Sequence, residues 1–220
     1  MREEIVIAGA VRTPIGSFGG GLAGLSAADL GTHAALAALE RAGVAPNHVD
    51  QAIFGHARQA GCGPNVARQI GLRAGLPVDR PAYTINQACL SGMQAVLAAV
   101  RAIRLGEARV VLAGGVESMS NVPFLLDGRW GARLGDQPLE DSQIRDGYAD
   151  PVCDQLMGET AETLVDRYTI SREEQDAYAA RSQQRCQRAR EEGRFDAEIV
   201  EIEVSTRRGS RIVRRDEHPR

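Results

Sequence analysis

The sequence predicts an α/β protein with a mainly parallel sheet covered by helices on both faces, followed by an irregular, α-rich segment. Along residues 1–120, short apolar runs of strand length alternate with helical patterns, an order typical of parallel sheets. Residues 121–220 carry 37 charged side chains, against 18 in residues 1–120. We therefore expect two domains: a buried α/β core at 1–120 and a thinner, solvated domain at 121–220.

Four apolar runs predict the strands of the core. Ile5–Ala10 is continuously apolar, as in a strand that is buried on both faces of a parallel sheet. The remaining three runs are shorter: Ala52–Gly55, Tyr83–Asn86 and Val110–Ala113.

Helical patterns lie between and after these strands. Ser26 and Asp29 form a capping box that opens a helix ending near Arg41. Two further helices are predicted in the core, over residues 64–74 and 91–105. Beyond the core, residues 121–152 are rich in Gly, Pro and Asp and predict a long loop. Helices over 158–168 and 171–193 follow, and then an edge hairpin over 198–204 and 211–213.

Composition excludes several classes of function. All 26 basic residues are arginine, so a P-loop and Schiff-base chemistry, which need a lysine, are excluded. The four cysteines are widely spaced and form no C-x-x-C, and no signal peptide or membrane-length apolar run is visible. These features predict a cytoplasmic protein without membrane attachment. The net charge of −3 gives no indication of nucleic-acid binding, and the four scattered histidines predict no metal site.

A glycine-rich stretch, Gly19-x-Gly21-x-x-Gly24, matches the dinucleotide-binding fingerprint letter by letter. Its first glycine comes well after the preceding strand, and the second strand runs into His56-Ala57-Arg58 without the acidic residue that binds ribose. We therefore favour a flexible loop over a nucleotide site.

Cys89 is the candidate nucleophile because it lies at the turn between the third strand and the following helix. At a helix N-terminus, unpaired N–H groups and the helix dipole favour an anion, here a thiolate. The alternative is a small buried apolar side chain, the usual role of a free cysteine. Position alone leaves both interpretations open.

The segment Asn86-Gln-Ala-Cys89-Leu-Ser-Gly92 resembles the nucleophile signature of the thiolases, which make or break the carbon–carbon bond of 3-oxoacyl-CoA thioesters. Further motifs continue the resemblance in the family's order, from about residue 4 to the last residue. They are Val11-Arg-Thr-Pro14 with Ile15-Gly-Ser-Phe-Gly19, Gly114-Gly-Val-Glu117-Ser-Met-Ser120, Asp146-Gly147, Met157-Gly158, Ala161-Glu162, Ser171-Arg-Glu-Glu-Gln-Asp176 and Asp216-Glu217-x-x-Arg220.

The resemblance implies the N-terminal half of a thiolase-like fold, with residues 121–220 as a loop domain that contacts CoA. Cys89 would carry the acyl group, and the substrates would be acetyl-CoA, 3-oxoacyl-CoA and CoA, with no cofactor and no metal. Tyr148 and Met157 match positions that line the pantetheine arm, whereas Leu156 replaces a histidine common in acetoacetyl-CoA-forming members. That departure leaves thiolysis of broader 3-oxoacyl-CoA substrates open.

The arginine-rich tail, residues 207–220, has two interpretations from its residues alone: a solvated edge, or a clamp for phosphate groups. The resemblance favours the clamp, because Arg220 matches an arginine near the adenine and phosphates of CoA. Glu117 likewise has two interpretations, a buried general base or a structural carboxylate, and the resemblance favours the structural role.

The chain departs from the family in length. The activating histidine and the second catalytic cysteine of thiolases lie in a C-terminal half that these 220 residues lack, as does the last strand of the first-half sheet. The chain is therefore expected to be a fragment, one half of a split enzyme, or a non-catalytic remnant that serves as a binding or assembly module. Family members pair through the first-half sheet, which implies a homodimer or homotetramer.

Overall fold

The structure, a computed structural model, describes residues 4–131, 133–206 and 209–219, with only the backbone of Thr206. The described residues form two compact units. The first contains the chain up to Asn121 together with Asp196–His218, and the second contains Val122–Phe195 and Pro219. The segment 196–218 belongs to the first unit because its backbone bonds there: Val200 donates to the Arg12 carbonyl, and the Arg12 N–H donates to the Glu198 carbonyl, each at 2.9 Å.

A three-stranded parallel sheet forms the centre of the first unit, as the sequence predicts. Its strands are β1 (Gln51–Gly55), β2 (Ala82–Ile85) and β3 (Val111–Gly115), in the order β2-β1-β3. All five residues of β1 are buried, in keeping with its central position.

Helices cover both faces of this sheet, which also confirms the prediction. They are α1 (Ala27–Ala42), α2 (Val66–Arg73) and α3 (Ser91–Arg104), and a short 3₁₀ turn covers Pro46–His48. Side chains alternate along a strand, so Ala52 and Phe54 pack in one cluster with α1 and α2, whereas Ile53 packs against α3 on the opposite face.

The predicted first strand at residues 5–10 is wrong for the described structure. These residues have no strand partner among those described, and Val6 and Ile7 are 73% and 78% exposed. A groove of about 450 Å³ separates this segment from β3. The apolar composition identified a segment suited to a sheet, but a strand also needs neighbouring backbone groups to bond, and none of the described segments supplies them.

The second unit is largely irregular up to residue 156 and helical after it. Its sheet elements are two-residue pairs: β4 (Phe124–Leu125) with β5 (Glu140–Asp141), and β6 (Ala149–Asp150) with β7 (Gln155–Leu156). A π-helical turn spans Ile144–Tyr148, and the two helices are α4 (Met157–Tyr168) and α5 (Arg172–Glu191). Neither α4 nor α5 buries a residue.

The chain returns to the first unit as an antiparallel hairpin, β8 (Ile202–Thr206) and β9 (Gly209–Val213), close to the predicted position. Ile202, Val204 and Val213 pack with Leu22 and Leu30 in a small core of their own. None of the described helices is long and apolar enough to cross a membrane.

Candidate active site

The turn that carries Cys89 connects β2 to α3 in the first unit. Cys89 is a free, exposed thiol, two residues before the first helical residue, Ser91. Leu90 occupies the helix N-cap and offers no capping side chain. No side chain caps this helix start, and the Leu90 and Ser91 N–H groups donate to the Gln87 and Ala88 carbonyls, each at 3.1 Å. The dipole of α3 still favours negative charge next to the thiol. The predicted position of Cys89 between strand and helix is thus confirmed, and its thiol is exposed in this structure.

The residue before Cys89 has an unusual backbone. Ala88 has φ of 48°, one of three non-glycine residues with positive φ among those described, and this conformation is costly for alanine. Two side chains hold it there. The Ala88 N–H donates to Asn86 Oδ1 at 3.0 Å, and Ser91 Oγ donates to the Ala88 carbonyl at 2.6 Å while accepting the Gln87 N–H at 2.8 Å.

The start of α3 approaches the ends of two strands closely because glycines face it. A Cβ added at Gly55, the last residue of β1, would lie 2.2 Å from the Ser91 carbonyl carbon. At Gly115, which ends β3, it would lie 2.9 Å from the Gly92 Cα. Only glycine permits these approaches, so the strand ends fix where the helix, and therefore the Cys89 turn, begins.

A buried histidine, His56, pairs with the half-buried Glu117 at the same carboxyl edge of the sheet. His56 follows β1 and its side chain is 1% exposed, with Nε2 3.1 Å from Oε1 of Glu117. Glu117 follows β3 and accepts the N–H groups of Ala57 at 3.0 Å and Arg58 at 2.8 Å. Burial raises the pKa of Glu117, but His56 and these N–H groups lower it by more, so the net shift is downward.

The sequence alone shows His56 as one of four scattered histidines and does not predict this pair. The residues are 61 positions apart, and only the strand order brings them together. The available signal was that each directly follows a predicted strand, because carboxyl ends of neighbouring parallel strands meet at one edge. The same carboxylate has an effect on a nearby thiol: burial and then the Glu117 charge raise the pKa of Cys62.

The glycine-rich loop does not present an open phosphate cradle. The Glu217 carboxylate accepts the N–H groups of Ser17 at 3.0 Å and Gly21 at 2.9 Å. Next to it, Asp216 binds Arg12 through both carboxylate oxygens, at 2.7 and 2.9 Å. An internal carboxylate therefore occupies the N–H groups of the loop, which supports the choice of a loop over a nucleotide site.

The other predicted site residues lie in the second unit or outside the described residues. Tyr148 ends the π-helical turn and Met157 begins α4, and they are 40% and 52% exposed. Ala149 pairs with Leu156 across the β6–β7 hairpin, so Tyr148 and Met157 occupy opposite positions at its open end. Arg220 lies outside the described residues. Among the residues described, no three His, Cys, Asp or Glu side chains group so as to hold a metal ion.

Comparisons with known proteins agree on one family. A family model described as thiolase, N-terminal domain, matches residues 5–220. The acetyl-CoA acetyltransferase of Thiocystis violacea is 46% identical over 222 residues, which cover 100% of this chain and 56% of that protein. The cytosolic acetyl-CoA acetyltransferase of Mus musculus is 43% identical over 99% of this chain and 55% of its own length.

A solved structure gives the same result at the level of the fold. The crystal structure of the Bacillus anthracis acetyl-CoA acetyltransferase superposes with a TM-score of 0.93 and 44% identity. It covers 98% of this chain but only 55% of that one. The 220 residues thus span little more than half the length of the relatives that they match.

Proposed function

The chain belongs to the thiolase family, and we propose that it forms the nucleophile-bearing half of a thiolase-type acyltransferase. In this proposal Cys89 accepts an acyl group from a CoA thioester. One observation carries it: an exposed thiol at the uncapped start of α3, on a turn whose strained backbone is held by Asn86 and Ser91.

The proposed first step is attack of the Cys89 thiolate on the thioester carbonyl. A bond forms between Sγ and the carbonyl carbon, the bond to the CoA sulfur breaks, and CoA leaves as a thiol after taking up a proton. N–H groups at the start of α3 are suited to stabilise the oxyanion that develops. In synthesis the acyl group then passes to the α-carbon of acetyl-CoA, which loses a proton. Thiolysis runs in reverse: the Cys89 thiolate attacks the 3-oxo carbonyl, the bond between carbons 2 and 3 breaks, acetyl-CoA leaves after its α-carbon takes up a proton, and CoA then accepts the acyl group from Cys89.

A base is needed in both steps, and the described residues give Cys89 no side-chain hydrogen bond. We propose that the base comes from the C-terminal portion that the relatives have and these 220 residues do not. The proposed reaction uses CoA thioesters as substrates and no resident cofactor. Pairing of copies into a homodimer or homotetramer remains a prediction.

The proposed CoA contacts belong to the second unit and the tail. Tyr148 and Met157, exposed at the open end of the β6–β7 hairpin, would line the pantetheine arm. Arg220 would pair with phosphate, for which a planar guanidinium is suited.

A second candidate is a non-catalytic binding or assembly module, favoured by the lack of a side-chain hydrogen bond to Cys89 among the described residues. Cleavage of acetoacetyl-CoA separates the two. We expect no turnover from the 220-residue chain alone, and turnover when it is co-expressed with the C-terminal half of a full-length relative. Positioned acid–base catalysis contributes roughly 10²–10⁴-fold, so the gain on co-expression should be of that order or larger.

The control pair for this assay is Cys89→Ala against Cys186→Ala, two free cysteines of the same chain. Turnover on co-expression should disappear in the first variant and persist in the second. Failure of any complementary half to restore turnover, with both chains folded and associated, would favour the binding module.

A further inference from the structure

The turn that presents Cys89 is exposed from Asn86 to Leu90, so packing does not explain why it holds one conformation. Its backbone includes the strained Ala88, with φ of 48°. A strained residue persists only where surrounding contacts fix it. The contact at its N–H is the Asn86 side chain, which must itself be oriented.

Asn86 is oriented by the loop that follows β1. Its Nδ2 donates to the Ala57 carbonyl at 3.2 Å while its Oδ1 accepts the Ala88 N–H at 3.0 Å. The amide therefore bridges two backbone segments, and displacement of the Ala57 carbonyl would remove one of its two anchors.

Ala57 is held in turn by Glu117. The two carboxylate oxygens take one N–H each, Oε2 from Ala57 and Oε1 from Arg58. The buried ring of His56 lies 3.1 Å from Oε1 and confines the carboxylate on a further side. A continuous chain of contacts thus runs from Glu117 through Ala57 and Asn86 to Ala88, the residue bonded to Cys89.

We propose that Glu117 is a positioning residue for the Cys89 nucleophile and acts through Ala57 and Asn86 on the turn at residues 86–91. It neither touches the substrate nor removes a proton. The relevance of this contact chain to catalysis rests on the proposed acyl transfer at Cys89. The coupling between Glu117 and the turn is independent of that proposal.

Glu117→Gln tests the coupling with little change in shape. Because each carboxylate oxygen accepts a different N–H, the amide must point its NH₂ at one of two backbone donors. We expect amide hydrogen exchange in a peptide covering residues 86–92 to become roughly tenfold faster, which corresponds to about 1.4 kcal/mol of local stability. Asn86→Ala should accelerate exchange there as well, and the double variant should exchange no faster than Asn86→Ala.

Asp50→Ala is the control at the other end of β3. The Asp50 side chain is 31% exposed, as is that of Glu117, and it also accepts two backbone N–H groups, from Arg109 at 2.7 Å and Val110 at 3.0 Å. These bonds lie at the opposite end of β3, so Asp50→Ala should accelerate exchange near residues 109–110 and leave residues 86–92 unchanged.

A second readout separates positioning from a merely structural role. The rate of Cys89 alkylation by iodoacetamide at one fixed pH should fall in Asn86→Ala and in Glu117→Gln, because a thiol displaced from the helix start loses the stabilisation that only the first turn provides. Loss of the carboxylate charge alone would not slow alkylation, and the rate at Cys186 should not change. Lower stability with unchanged Cys89 alkylation and unchanged exchange at 86–92 would overturn the proposal.

Unchanged exchange in Asn86→Ala would overturn it independently, even if Glu117→Gln did not fold. Neither readout requires acyl transfer. A protein whose Cys89 is never acylated would therefore end the proposed function and leave the coupling result intact.

Discussion

The two compact units of this chain are built in different ways. In the first, β1 is buried along its whole length, and Ile53 and Ile70 have no exposed surface. In the second, α4 and α5 bury none of their residues, and large apolar side chains such as Trp130 and Leu134 are more than 90% exposed.

The difference indicates that the first unit is stabilised by apolar side chains buried within it. Burial of apolar side chains is the main favourable term in folding, and the first unit has two layers of helix over its sheet to provide it. The described residues of the second unit form no buried apolar cluster, and many of their large apolar side chains are exposed, which suits a surface that binds a ligand or another segment. In the proposed function, Tyr148 and Met157 would contact the pantetheine arm of CoA in this way.

Substitution of a core residue should give the largest contrast between the units. Ile53→Ala removes a side chain that is packed between β1 and α3, and we expect a loss of roughly 2–5 kcal/mol in the free energy of unfolding. Leu164→Ala on α4, where the side chain is 51% exposed, should change it by about 0.5 kcal/mol or less. Urea denaturation followed by circular dichroism measures both.

Ile53→Val is the graded control, with an expected loss of roughly 0.5–1.5 kcal/mol. A Leu164→Ala loss as large as that of Ile53→Ala would mean that the second unit has a core of its own, against the contrast drawn here.

Substitution of a carboxylate in each unit should give a smaller difference in the free energy of unfolding. The N–H groups of Gly21 and then Ser17 hold the pKa of Glu217 below its usual range. A carboxylate with a lowered pKa stabilises the fold at pH above its ordinary value of about 4.3, and that contribution is lost as the pH falls. Glu217→Gln should therefore cost roughly 1–2 kcal/mol near pH 7, and its deficit against the parent should shrink between pH 5 and pH 3.

Glu140→Gln provides the comparison in the second unit. Glu140 pairs with Arg145 at 3.1 Å, but its side chain is 49% exposed. Exposed ion pairs contribute little, so Glu140→Gln should change the free energy of unfolding near pH 7 by about 0.5 kcal/mol or less. An equal loss near pH 7 in both variants would remove the distinction between the two kinds of carboxylate.

Local sequence patterns predict most of the helices and strands, but they do not predict which neighbouring segments bury them. The capping boxes at Ser26 and Ser171 and the apolar run in β1 are local signals, and each marks the observed helix start or strand. Residues 5–10 carry an equally strong apolar run, yet they form no strand in the described structure, because a strand depends on its neighbours. Apolar composition shows that a segment is suited to burial, not that it is buried.

The site was predictable where its chemistry is local. Cys89 follows from a strand, a turn and a helix within about twenty residues. Two contacts lie far apart in the sequence: Glu117 is 61 positions from His56, and Glu217 is 196 positions from Gly21. Motifs of fixed local spacing do not predict contacts at such separations. These contacts, rather than the nucleophile itself, are what the three-dimensional structure added.

The central claim is that Cys89 accepts an acyl group, and its direct test is the mass of the chain after incubation with acetyl-CoA. The co-expressed complex should gain one acetyl group, and peptide mapping should place it on Cys89. Cys186→Ala should be acetylated like the parent, whereas Cys89→Ala should not be acetylated at all. Acetylation that persists in Cys89→Ala, or that maps to Cys62, Cys153 or Cys186, would contradict the account.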